Sequence, residues 1–149
     1  MPITEIVLLN PLLVGSVIVL LSLLVGSFLN VVIYRLPVMM EREWKTEARA
    51  MLDIEQTGEK AETFNLAFPN SHCPQCNTAI KSWQNIPVLS YLLLGGKCGN
   101  CQSPISIRYP IIEAVTALLA AIIVWQLNTL PEILTALVFS WALICLTMI

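Results

Sequence analysis

Apolar positions dominate three stretches of the chain and thin out in one long stretch between the first and the second. Leu12 to Tyr34 reads LLVGSVIVLLSLLVGSFLNVVIY, without a charged residue. A helix of that length, at about 1.5 Å per residue, crosses a ~30 Å hydrocarbon core with some tilt. Ile111–Leu127 (IIEAVTALLAAIIVWQL) and Ile133–Ile149 (ILTALVFSWALICLTMI) are shorter runs joined through NTLPE. Asn, Thr and Pro punctuate that junction, and Pro131 suits the first turn of a helix. The pattern predicts an all-α integral membrane protein with about three transmembrane helices, at 12–34, 111–127 and 133–149. The last two form a hairpin, and a polar loop domain occupies 35–110. Residues 1–11 contain no Lys or Arg, so the basic n-region of a cleaved signal peptide is missing and the segment reads as an extramembrane N-terminus.

The polar stretch has two halves. In the first, Met40, Trp44, Ala48 and Met51 recur at helical spacing and Glu41 precedes Lys45 by one turn. This predicts a short amphipathic helix at the membrane surface, followed by a disordered acidic stretch around Gly58. A solvated helix with no task is the plainer reading of the same pattern. No internal repeat is apparent.

Composition agrees with the membrane reading. The chain is 56% hydrophobic and 12% charged, against about a quarter charged for globular chains. Its formal net charge of −2 offers no footprint for nucleic acid. All 8 Lys and Arg residues lie between Arg35 and Arg108. The positive-inside rule therefore places the loop in the cytoplasm, with Met1 and the Asn128 turn outside.

The second half of the loop carries two Cys-x-x-Cys pairs, Cys73/Cys76 and Cys98/Cys101. Disulfides are rare in the cytoplasm. Each pair lets two thiolates reach one ion from a tight turn, and two such turns complete a tetrahedron. Pro74, Gly95, Gly96 and Gly99 supply turn formers. Zinc is the default ion, with iron in a rubredoxin-like site as the alternative. A closed four-thiolate site leaves no position for water, so its role is structural: it staples a loop too small to build its own core. His72 is a bystander beside four thiols, and Cys145 reads as a small apolar residue in a helix.

A few polar residues sit at or in the membrane. Glu113 lies near the start of the second helix, where a negative charge is favourable. It can pair with Arg108 or Arg35, or it can contact a positively charged group of a partner. Asn30 can hydrogen-bond a neighbouring helix, and Gly26 and Ser27 allow that helix to come close. Arg35 anchors the first helix at the interface.

Taken in order, GSFLNVVIYRLP (Gly26–Pro37), CPQC, IPVLSYLLLGGKCGNC and ISIRYPIIE (Ile105–Glu113) resemble the N-terminal part of the bacterial type IV prepilin peptidases. These are bifunctional leader peptidases and N-methyltransferases of the inner membrane. The resemblance covers Gly26 to Ile149 and implies action on type IV prepilins and type II secretion pseudopilins. It implies aspartic peptidase chemistry on the cytoplasmic side, then methylation of the new N-terminal amine from S-adenosylmethionine, with Glu113 able to contact the positively charged leader or that amine. The implied partners are those substrates, membrane lipid and the remaining C-terminal portion of the enzyme. The family's two catalytic aspartates belong to later segments, the first expected shortly after a helix like SWALICLTMI. The chain stops there, Asp53 is its only Asp, and no Gly-x-Gly-Asp occurs. The expectation is an N-terminal piece with no catalytic peptidase residue of its own, inactive alone as a peptidase. The competing readings are a zinc-stapled membrane adaptor without chemistry and, more remotely, a redox dithiol protein. No glycine-rich strand-to-helix turn marks a methyl-donor site.

Overall fold

The computed structural model describes residues 10–52 and 64–149. Helix α1 spans Pro11–Met51, the short α2 Leu89–Leu93, α3 Arg108–Gln126 and α4 Leu130–Met148; a 3-10 turn at Ser82–Asn85 precedes α2. There is no strand among the described residues, only two isolated antiparallel bridges, His72 with Ala79 and Lys97 with Pro104. Among the described residues, three helices are long and apolar enough to cross a membrane, namely α1, α3 and α4.

The boundary expected after Tyr34 is not a break in the helix. α1 is 41 residues long, about 60 Å along its axis, and runs through Pro37. Proline removes one N–H and its fixed φ is itself helical. The residues that follow, MMEREWKTEARAM, are good helix formers. The expected amphipathic helix is therefore the distal part of α1 and leaves the membrane along the axis of the crossing segment, not along the surface. Its Glu41–Lys45 ion pair forms at 2.6 Å with both side chains more than half exposed. Such an exposed pair contributes little to stability. The stretch expected around Gly58 lies outside the described residues, as does Asp53.

α3 starts at Arg108 and α4 at Leu130, with Pro131 in its first turn. α1 packs chiefly on α3, and α4 lies against both. One core cluster joins Leu29 and Ile33 of α1, Ile112 of α3 and Ile144 of α4. A second joins Ala120 of α3 with Ile133 and Leu137 of α4, flanked by Ile18 and Val19. Trp141 touches both clusters. Outward-facing residues such as Leu20, Leu118, Trp125, Phe139 and Leu146 remain exposed and apolar, the arrangement a lipid solvent favours. The α1–α3 crossing is tight at Gly26. A Cβ there would lie 2.9 Å from the Glu113 Cα and 3.0 Å from Thr116 Oγ1. This is the small-residue contact by which membrane helices bring their backbones together.

Candidate metal centre and the cavity beside it

The two Cys-x-x-Cys pairs fold into the same turn twice. In the first, Cys73 N donates to Thr78 O (3.0 Å) and Asn77 N to Cys73 O (2.9 Å), while Ile80 N donates to Ser71 O (2.8 Å). In the second, Cys98 N donates to Ser103 O (2.8 Å), Gln102 N to Cys98 O (3.0 Å) and Ile105 N to Gly96 O (2.7 Å). The residue after each second cysteine takes positive φ, 54° at Asn77 and 60° at Gln102. Position for position, SHCPQCNTAI maps onto GKCGNCQSPI at one constant offset. The loop thus holds an internal structural repeat, against the sequence expectation of none. Its signature is a hydrogen-bond pattern, and only the cysteines and one isoleucine are identical between the copies.

The repeat brings four thiols together. Cys73, Cys76, Cys98 and Cys101 have Sγ atoms all within 4.8 Å of one another, and Cys73 Sγ stands 3.8 Å from Cys101 Sγ. Zinc–sulfur bonds of about 2.3 Å in a tetrahedron set sulfurs about 3.8 Å apart, so these residues fit a bound ion of that kind. Neighbours prepare the thiolates. Cys76 Sγ lies 3.4 Å from Thr78 Oγ1 and accepts from Asn100 Nδ2 at 3.6 Å. The Thr78 side chain, then its backbone N–H and the Asn100 amide, pull the Cys76 thiol down to about 6. Cys73 is also lowered, first by the backbone N–H groups of Cys76 and Gln75 and then by Ser103. His72 stands outside the cluster, its Nδ1 3.1 Å from Asn70 O. Cys145 packs against the α1–α3–α4 core.

Between this cap and the membrane helices opens a cavity of about 920 Å³, lined among others by Asn30, Arg35, Tyr91, Cys98, Tyr109 and Glu113. Glu113 is 7% exposed. Its expected ion pairs with Arg108 or Arg35 do not form. Its Oε2 accepts the backbone N–H of Val88 at 2.7 Å. Val88 holds φ 58°, ψ −48°, and Leu89 N donates back to Pro87 O at 2.5 Å. This is a γ-turn of the strained hand, a rare state for a β-branched residue, worth about 1–3 kcal/mol of local strain. The turn aims the Val88 N–H at the carboxylate.

The arginines are engaged elsewhere because nearer acceptors are geometrically ready. Arg35, also 7% exposed, donates through Nη1 to Asn65 O (2.8 Å) and through Nη2 to Pro69 O (2.6 Å). Those carbonyls converge because Asn65 Oδ1 accepts from Ala67 N and Phe68 N and folds the segment into a tight turn. Phe64 lies 5.7 Å from the Arg35 guanidinium and 4.3 Å from that of Arg42. Arg35 thus clasps the loop to α1. Arg108 Nη2 donates to Met148 O at 2.7 Å, a cation at the C-terminal end of α4. Asn30 Nδ2 donates to Tyr109 O of α3 at 3.2 Å and to Gly26 O at 3.3 Å, the inter-helix bond its position predicts. Sequence reasoning missed Val88, whose residue type signals nothing; only the backbone angle reveals it.

A three-helix membrane unit capped by a paired-turn tetrathiol site defines the class of protein. The family model for the Bacterial Peptidase A24 N-terminal domain matches residues 20–127, and the chain belongs to this family. Among curated proteins, it is 53% identical over 129 residues to the prepilin leader peptidase/N-methyltransferase of Neisseria gonorrhoeae, covering 87% of this chain and 45% of that protein. It is 46% identical over 149 residues to the protein of the same description from Pseudomonas aeruginosa, covering 100% and 51%. For that of Aeromonas hydrophila the identity is 47%, covering 93% and 48%. The chain spans about half the length of the relatives it matches and corresponds to their N-terminal part. No solved structure matches it.

Proposed function

We propose that the chain is the N-terminal part of a bifunctional prepilin leader peptidase and N-methyltransferase of the inner membrane. Its substrates are type IV prepilins and type II secretion pseudopilins, its methyl donor is S-adenosylmethionine, and its four cysteines hold a structural zinc ion. The observation that carries this is the 46% identity across all 149 residues with the Pseudomonas aeruginosa protein so described. The loop faces the cytoplasm and the N-terminus the periplasm, which follows from the confinement of all Lys and Arg to 35–108. An engineered thiol at Asn128 is then reached by an impermeant reagent in intact cells, and one at Thr57 is not.

The two activities divide between the halves of the enzyme. Aspartic peptidase chemistry takes two carboxyl groups converging on one bond. Among the described residues Glu113 is the one buried carboxylate. The peptidase pair belongs to the remaining C-terminal portion, and the cavity beside Glu113 receives the amino end that cleavage exposes. Its volume is that of a site for a small molecule or a peptide end, and its lining includes Tyr91 and Tyr109. In the transfer, the amine nitrogen bonds to the methyl carbon. The bond from that carbon to sulfur breaks with its electron pair left on sulfur, and the proton shed by nitrogen passes to the Glu113 carboxylate. Asn30 and Arg35 hold the walls, since each ties α1 to a second segment across the cavity. The test is to incubate the purified full-length protein with a prepilin and methyl donor, then weigh the product. Leader loss with methylation supports the reading, and an untouched prepilin opposes it.

A further inference from the structure

The loop domain is two-sided. Its cysteine turns present polar residues to solvent, with Asn77, Thr78, Asn100 and Gln102 all exposed. Its other side is apolar and uncovered. In α2, Leu89 is 50% exposed, Leu92 68% and Leu93 71%, and Ile86 just before it is 45%. α2 buries no residue and contributes to neither core cluster. A water-facing segment has no reason to present four large aliphatic side chains within eight positions, and nothing among the described residues covers them.

Depth explains them. α3 has 19 residues, about 28 Å, so it has no length to spare over a ~30 Å hydrocarbon core, and its first residue, Arg108, stands at the edge of the bilayer. Glu113 lies roughly a turn and a half further in, about 7 Å. Its side chain leans back toward the helix N-terminus by at most roughly 5 Å of reach. The Val88 N–H bound to it at 2.7 Å therefore lies close to the level of Arg108, at the apolar boundary. α2 follows directly from Val88.

We propose that Ile86–Leu93 is a membrane-inserted element of the loop domain, with Leu89, Leu92 and Leu93 among the lipid acyl chains at the edge of the bilayer. The occupant of this face is lipid, because the Val88–Glu113 bond ties the segment to α3 at the level of the bilayer edge, where exposed aliphatic side chains meet acyl chains. The Val88–Glu113 bond satisfies a backbone donor that hydrocarbon would leave unpaired. The cavity beside Glu113 then has a floor fixed to the membrane.

The test uses the full-length, metal-loaded protein in lipid nanodiscs. A nitroxide is attached through Leu92→Cys in a Cys145→Ser background, with the four ligand thiols kept on their metal, and Arg49→Cys serves as the aqueous reference. Collisions with oxygen at position 92 should exceed those with a water-soluble nickel chelate several-fold, with the reverse ratio at position 49. Leu89→Cys and Leu93→Cys provide independent sites should the first variant fail to load metal. A label at these positions as open to nickel as position 49 overturns the proposal. A label shielded from both reagents overturns it too, since protein and not lipid then covers the face.

Discussion

The backbone N–H of Val88 donates to Glu113 Oε2 across 2.7 Å, and this bond joins the metal-capped loop to the interior of the helix bundle. The donor sits on a strained turn and the acceptor is nearly buried. Removing either end has a distinct consequence. Glu113→Ala strands the N–H and should destabilise the protein by about 1–3 kcal/mol, read as a lower melting temperature in detergent. Glu113→Gln keeps an acceptor oxygen and should fall well short of that loss. Val88→Gly relieves the positive φ while adding chain entropy of about 0.5–1 kcal/mol, so it should be neutral to stabilising.

Gly26 should tolerate nothing larger. A Cβ would stand 2.9 Å from a backbone atom of α3, and backbone cannot swing aside as a side-chain tip can. Gly26→Ala should cost about 1–3 kcal/mol through forced separation of the helices. Gly15→Ala meets only a Val124 methyl at 3.1 Å and should cost less. The two melting curves, measured side by side, check the ordering.

The four thiols should bind one metal ion per chain, measured by elemental analysis of purified protein as about one equivalent of zinc. Cys73→Ser should lower that content and expose the loop to protease. A quadruple Ser variant that keeps its metal would show that other residues hold it.

Stripped of metal, the thiols should differ in reactivity. Cys76, drawn down to about 6 by Thr78, is the more readily ionised, whereas Cys98, lowered by the backbone N–H groups of Cys101 and Asn100 but raised more by burial and the thiols of Cys73 and Cys101 together, stands above the ordinary thiol value. Alkylation should therefore label Cys76 before Cys98. Because the Cys76 value is lowered on folding, its stabilising contribution is complete above the unfolded thiol pKa and is lost as pH falls through about 6. Thr78→Val should slow the labelling of Cys76.

Much of this was legible in the sequence because the signals are strong and local. Three uninterrupted apolar runs and two Cys-x-x-Cys pairs need no tertiary context to read, and the ordered motifs pointed to the family. What escaped depends on relations across the fold. The first helix is expected to end with the apolar run at Tyr34, yet the helix continues through Pro37, since one lost hydrogen bond does not end a helix flanked by good formers. The pairing of Glu113 was expected from charge, but Arg35 finds converging carbonyls nearer and Glu113 finds a backbone donor. The repeat of the cysteine turns is written in backbone bonds, with little shared side-chain identity to reveal it.

On the function proposed above, the cavity at Glu113 serves the amine released by cleavage and not the cleavage itself. The direct measurement is mass spectrometry of pilin processed by the full-length enzyme carrying Glu113→Gln, with metal content and melting temperature confirming that the variant is folded. The account predicts pilin with its leader removed and its N-terminal amine largely unmethylated. Pilin methylated to the wild-type extent, or a folded variant that no longer removes the leader, would contradict it.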